Sequence, residues 1–139
     1  MEKITRFGVS MNSMLLDKFD DYIQEKGYTN RSEAIRDIIR DHLVAQEWVD
    51  GETETVGTIT LVYDHELRDI SHRLLELQHH HCHNVISSMH VHLDEHNCLE
   101  VLVVKGMARD IRTIADHLIS NRGVKHGKLT ITTTGRDIL

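Results

Sequence analysis

The 139-residue chain contains no proline, where ordinary usage of ~5% would place about seven. That excludes polyproline spacers and collagen-like structure, and it leaves helices and strands without their commonest internal breaker. Cysteine is scarce too: Cys82 and Cys98 cannot form a disulfide framework. A basic surplus is also missing. The net charge of −6 argues against bulk nonspecific nucleic-acid binding, though not against a small local footprint. No apolar run approaches the ~18 residues of a membrane span, and the opening MEKITRFGVSMNS lacks the apolar core of a signal peptide. The expectation is a cytoplasmic protein with reduced, available thiols and no membrane partner.

What remains is an ordinary globular balance, 40% hydrophobic and 27% charged, with one outlier. Of twelve histidines, seven (79, 80, 81, 83, 90, 92 and 96) fall inside residues 79–96. The length suits one domain or two small ones. The acidic, two-glycine stretch EWVDGETETVG at 47–57 marks a joint. The expected division is 1–47, a linker at 48–56, and 57–139. Neither half is basic, so charge alone names no partner.

In the first unit, Phe7, Val9 and Met11 alternate with Arg6, Gly8 and Ser10, the period of a half-buried strand. Leu15, Leu16, Phe19, Tyr22 and Ile23 give residues 13–26 a helical stripe, with Gly27 at the C′ position. Asn30 then offers an N-cap with Glu33 three residues on, followed by the stripe Ala34, Ile35, Ile38, Ile39 and Leu43. One strand and two helices are too little to bury a core, and a lone strand is unstable. Either a second copy pairs the strands, or the three elements cap the second unit. The free N–H groups at Asn30, Arg31 and Ser32 suit a phosphate. Arg36 and Arg40 read more simply as partners of neighbouring carboxylates.

Beyond the joint, a strand at 55–63 precedes a helix at 65–78 carrying Leu67, Ile70, Leu74 and Leu77. Strands at 85–93 and 98–105 flank the turn cluster 94–97. A helix with Ile111, Ile114, Ala115 and Leu118 runs to Gly123, and a last strand carries Leu129 and Ile131. The order βαββαβ predicts an α+β, ferredoxin-like sandwich with helices on one sheet face.

On that sheet His90 and His92 share a face, and the turn returns Cys98 beside them. Two imidazoles and a thiolate form a metal-binding constellation. His79, His80, His81 and His83 are the reservoir for a fourth ligand. Water in an open position would instead suit a catalytic zinc site, but no general base stands beside the cluster. Glu100 shares the Cys98 face and suits a role orienting a ligand from behind.

Two stretches carry a resemblance. GYTNRSEAIRDIIR at 27–40 resembles the second helix of ribbon–helix–helix DNA-binding proteins. Residues 78–100, from Gln78-His79 to Cys98-Leu99-Glu100, together with 104–106 and 123–127, resemble the metal site of the nickel-responsive regulators (NikR). The resemblance implies a βαα ribbon–helix–helix module completed by dimerisation, followed by the ferredoxin-like module, and covers nearly the whole chain. It implies one Ni2+ per subunit, square-planar, on His90, His92 and Cys98, with His79 from a neighbouring subunit. Cu(II) accepts the same shape. Arg6, Gly8 and Ser10 then face DNA bases, and Gly8 departs from the polar residue usual there. Asn30 and Arg31 face phosphate. Arg68 resembles a phosphate contact from the metal module, while Leu67 lacks the basic side chain seen beside it. A second cation site carries over to Glu33 and Asp37. Tyr63 and His65 resemble residues near the nickel. His80, His81, His83 and His96 are expected in solvent or as weak auxiliary ligands, and Cys82 buried or free.

The implied protein is no enzyme and takes no organic substrate. It is a homotetrameric (dimer of dimers) nickel-dependent repressor of nickel-uptake genes that binds a palindromic operator. The alternative is a metal storage or delivery protein without DNA binding, which leaves the N-terminal module unexplained.

Overall fold

Local capping residues set the first helix, α1 (Ser13–Lys26). Asn12 Oδ1 accepts the Met14 N–H at 2.8 Å at its start. At its end Gly27 turns left-handed (φ 79°). Its N–H reaches the Gln24 carbonyl while the Tyr28 N–H reaches that of Ile23, a Schellman closure. The second helix, α2 (Arg31–Asp50), starts on the expected cap: Asn30 Oδ1 accepts the Glu33 N–H at 2.9 Å. The Glu33 carboxylate turns instead to the Thr29 hydroxyl at 2.9 Å.

The computed structural model describes residues 2–67 and 69–139; Arg68, the expected phosphate contact, lies outside the described residues. Two compact units result, one up to Ile39 and one over Arg40–Leu139. This differs from the expected linker at 48–56. Helix α2 runs on to Asp50, and Trp48 near its end is 2% exposed, inside the core of the second unit. Its indole N–H donates to the Thr132 carbonyl at 2.8 Å, and the Arg112 guanidinium lies 5.3 Å over its ring. A large aromatic side chain anchored in this way extends the unit through residue 48. Only residues 51–53 separate helix from strand.

The segment 6–11, expected as a strand that a second copy completes, forms no strand within the single chain. Among the described residues, 2–12 belong to no strand, and Ile4, Phe7, Val9 and Met11 are exposed. The alternation is present, but a strand needs a neighbour for its N–H and C=O groups, and this chain supplies none.

The second unit contains β1 (Glu54–Asp64), α3 (Ile70–His80), β2 (Val85–His92), β3 (Asn97–Met107), α4 (Ala108–Ile119) and β4 (Val124–Ile131). The sheet order is β2-β3-β1-β4, with all three ladders antiparallel. This is the expected α+β sandwich. Ile59, Leu61 and Tyr63 of β1 share one sheet face with Cys98, Leu102 and Val104 of β3. They pack there with Ile70 and Leu74 of α3 and Ile111, Ile114 and Leu118 of α4. Gly57 is required at the centre of β1, because a Cβ there would stand 2.9 Å from the Thr130 carbonyl and 3.4 Å from the Trp48 ring. Among the described residues no helix is long and apolar enough to cross a membrane.

Candidate metal centre

The ladder between β2 and β3 places His92 opposite Cys98 and His90 opposite Glu100. Cross-strand partners point to the same side, so all four side chains share the core face. Strand β2 lies at the sheet edge, which leaves both histidines exposed while Cys98 is fully buried. Opposite Cys98 on its other side stands Tyr63, 1% exposed.

Three donors converge here. The Cys98 Sγ lies 3.5 Å from His92 Nδ1 and 3.2 Å from His65 Nδ1. The donor atoms of these three residues all lie within 4.8 Å of one another. His65 follows β1 and is fixed by its backbone N–H, which donates to the His96 carbonyl at 3.0 Å. The family resemblance placed His65 only near the nickel; the β1–β3 register brings it to the sulfur, 33 residues along the chain. His90 stands beside this group, its ring 5.2 Å from that of His92 and 6.0 Å from that of Tyr63. His79 is exposed in the last turn of α3 and belongs to no three-donor cluster among the described residues.

Behind the donors lies a buried polar network. Glu100, 7% exposed, accepts the Tyr63 hydroxyl at 3.1 Å on one oxygen and the Gln78 amide at 2.8 Å on the other. Gln78 directly precedes His79, so this bond ties the end of α3 to the strand bearing Cys98. No role was expected of Gln78, although it borders the histidine-rich stretch. Burial, then the charge of Glu100, pushes the Tyr63 phenol far above its ordinary range. Burial also raises the Cys98 thiol, assisted by the carboxylates of Asp64, Asp94 and Glu100. The metal-free sulfur therefore keeps its proton at neutral pH, and a bound cation must displace it.

The turn joining His92 to Cys98, expected over 94–97, is held by Asp94. Its Oδ1 accepts the N–H groups of His96 and Asn97 at 2.8 Å each. Hydrogen bonds from Asn97 and His96 lower its carboxyl to about 2. An Asp followed three residues later by Asn was the available signal. Nearby, His96 Nδ1 pairs with Glu66 at 2.7 Å, and these two with Asp64 form a second, exposed three-donor group.

The other expected positions lie elsewhere. Arg6, Gly8 and Ser10 are exposed in the N-terminal segment. Asn30 caps α2, and Arg31 makes two 2.9 Å hydrogen bonds to the Asp20 carboxylate. Glu33 and Asp37 are not in a three-donor group among the described residues; Asp37 accepts the Tyr28 hydroxyl at 2.8 Å. Cys82 is free and exposed rather than buried. His81 is half-buried; burial first, then its neighbours His80 and His117, holds its imidazole below the usual range.

Residues 56–132, which include the whole Cys98 cluster, match the family model of the NikR C-terminal nickel-binding domain. The chain belongs to the NikR family. A protein of Thermococcus onnurineus described as a putative nickel-responsive regulator is 61% identical over 99% of both chains. Relatives of the same description from Pyrococcus furiosus and Geobacter sulfurreducens are each 61% identical, covering 98% and 99% of this chain and 99% of their own. An uncharacterized protein from Thermotoga maritima aligns at TM-score 0.47 and 12% identity over 59% of this chain and 99% of that one, a likeness too slight to build on.

Proposed function

We propose that this NikR-family chain is a nickel-dependent, sequence-specific DNA-binding regulator that represses nickel-uptake genes. The observation that carries the reading is the Cys98 cluster: two imidazole nitrogens within 3.5 Å of one buried sulfur. An all-nitrogen-and-sulfur donor set of this kind fits a borderline ion such as Ni2+ and disfavours magnesium or calcium. His90, His92 and Cys98 would hold one nickel per subunit, with His79 supplied by a neighbouring subunit and His65 close by. Bound nickel supplies the positive charge that stabilises the Cys98 thiolate. Tyr63, Gln78 and Glu100 hold the strand and the end of α3 in place around it.

A ligand drawn from a second subunit links metal binding to assembly, here a dimer of dimers. The N-terminal segment bears on the same point. Its apolar residues alternate but find no partner strand, which fits pairing with a second copy to make a two-stranded ribbon of major-groove width. Arg6, Gly8 and Ser10 then face the bases. Arg6 is suited to guanine, Gly8 offers no side-chain contact, and the N-terminus of α2 at Asn30 and Arg31 faces phosphate. Glu33 and Asp37 remain the proposed second cation site. Arg31 must exchange Asp20 for phosphate, or bind it while keeping that pair.

Metal regulates DNA binding only if it favours the DNA-binding conformer. A 100-fold effect requires about 2.7 kcal/mol of coupling. The test is fluorescence anisotropy with a palindromic operator selected from random DNA, with nickel or with chelator. Binding with nickel alone is the expected result. Equal binding in both conditions refutes the regulator and favours a storage or delivery protein.

A further inference from the structure

Away from the Cys98 cluster, a cavity of about 350 Å3 opens where α3 begins and the chain turns into β4. Leu67, Asp69, Arg73, Arg122 and Gly123 line it. Gly123, left-handed at φ 104°, lets that turn lie against Ile70 of α3. The Arg73 Nη2 donates to the Arg122 carbonyl at 2.7 Å, which fixes its guanidinium at the cavity wall. Two of the five lining residues thus carry positive charge, in a chain whose net charge is −6. Elsewhere Arg31 and Arg109 meet carboxylates at 2.9 and 2.8 Å. Among the described residues neither Arg73 nor Arg122 makes such a pair. Arg73 is half-buried with its Nε enclosed, so its charge is partly withdrawn from water without a counter-ion. That is costly unless an anion from solvent supplies one.

We propose that this cavity binds a phosphate group between Arg73 and Arg122. Guanidinium forks match the paired oxygens of a phosphate, and Arg122 is exposed, so the group enters from solvent. The enclosed Arg73 Nε is not a contact; the anion neutralises that guanidinium through its remaining N–H groups. Asp69 offsets one of the two charges and leaves the lining net positive. The start of α3 has no side-chain cap, which leaves the N–H groups of its first turn to favour an anion. Leu67 is the one apolar side chain in the lining, so the cavity offers nothing to a base or other large apolar group. Free phosphate and the DNA backbone present the same oxygens. The site uses no residue of the Cys98 cluster and stands whether or not the chain is a nickel-dependent repressor.

Inorganic phosphate is the probe, added to the metal-free full-length protein at constant ionic strength. NMR should show the Arg73 and Arg122 guanidinium resonances moving saturably with phosphate and staying in place with chloride. This readout on the unaltered protein does not depend on how any variant folds. Arg122→Gln, an exposed position whose carbonyl still holds Arg73, should weaken phosphate binding at least ~10-fold. A second arm follows a DNA duplex by fluorescence anisotropy with nickel present. Phosphate that displaces the duplex from the unaltered protein but not from Arg122→Gln identifies the DNA backbone as the source. A duplex indifferent to phosphate identifies free phosphate. Guanidinium resonances that stay still, or answer equally to chloride, overturn the proposal. So does an unchanged phosphate affinity in Arg122→Gln. Because the phosphate titration needs neither nickel nor DNA, its failure leaves the nickel-dependent reading standing.

Discussion

Over Arg40–Leu139 a cluster running from Trp48 to Leu118 is closed to solvent, whereas up to Ile39 only Ile23 and Ala34 are buried among the described residues. Phe7, Val9, Met14 and Leu15 all remain more than half exposed. The side-chain helix caps, Asn12 and Asn30, both lie in the first unit, while α3 and α4 start without one, so capping is not what makes the second unit self-sufficient. The difference is tertiary. A four-stranded sheet with two helices buries one face within a single chain, while one alternating segment and two helices cannot. The self-sufficient unit is therefore where fixed donor geometry is found. The other is where the proposed second copy would pair.

Substitutions can break that contrast, and the largest effect falls on the metal cluster. Cys98→Ala should weaken nickel binding at least ~1000-fold, about 4 kcal/mol, because no other thiol lies in the cluster. Calorimetric titration checks this, and an unchanged affinity would remove Cys98 from the site. Next, Trp48→Ala should destabilise the second unit by about 3–5 kcal/mol in denaturant unfolding, the usual cost of emptying a large aromatic site. Phe7→Ala, 72% exposed in the single chain, should cost less than ~0.5 kcal/mol in dilute solution and act instead on DNA binding. Arg6→Ala should weaken operator binding by ~1–3 kcal/mol while leaving the nickel count per chain unchanged. A storage protein would show neither DNA effect.

The smallest effects concern the turn and its neighbour. Asp94 sits below its ordinary 3.8, at about 2. Its contribution is complete above 3.8 and disappears as pH falls through about 2, so the His96 and Asn97 amides should lose exchange protection only in that window. For His96 the sign is opposite. Glu66 raises its pKa above the ordinary 6.5. The ion pair is complete below 6.5 and is lost as pH rises through the raised value. An NMR titration should therefore show a His96 midpoint above 6.5 that drops in Glu66→Gln.

How much could be read beforehand followed the range of the interaction. Gly27 and Asn30 were legible because caps are local, and the βαββαβ order was legible because alternation and helical stripes mark each element. The joint was misplaced because acidity and glycines suggested it, while the burial of Trp48 against residues 84 positions away decided it. The period of residues 6–11 was plain, yet a strand also depends on a partner that this chain does not provide. His90, His92 and Cys98 were placed on one face by parity alone. Asp94 was legible as part of a turn, whereas His65 and Gln78 take their places from strand register and a buried carboxylate, neither of which spacing in a single segment displays. His79 as a ligand rests on family likeness, since a contribution from another subunit has no signature within one chain.

The central claim is that nickel at the self-sufficient unit and DNA at the unfinished one are coupled. Linkage makes that coupling reciprocal. The most direct measurement is the nickel dissociation constant with and without saturating operator DNA. DNA should tighten nickel binding by the same factor by which nickel tightens DNA binding. A nickel affinity indifferent to operator DNA would contradict it.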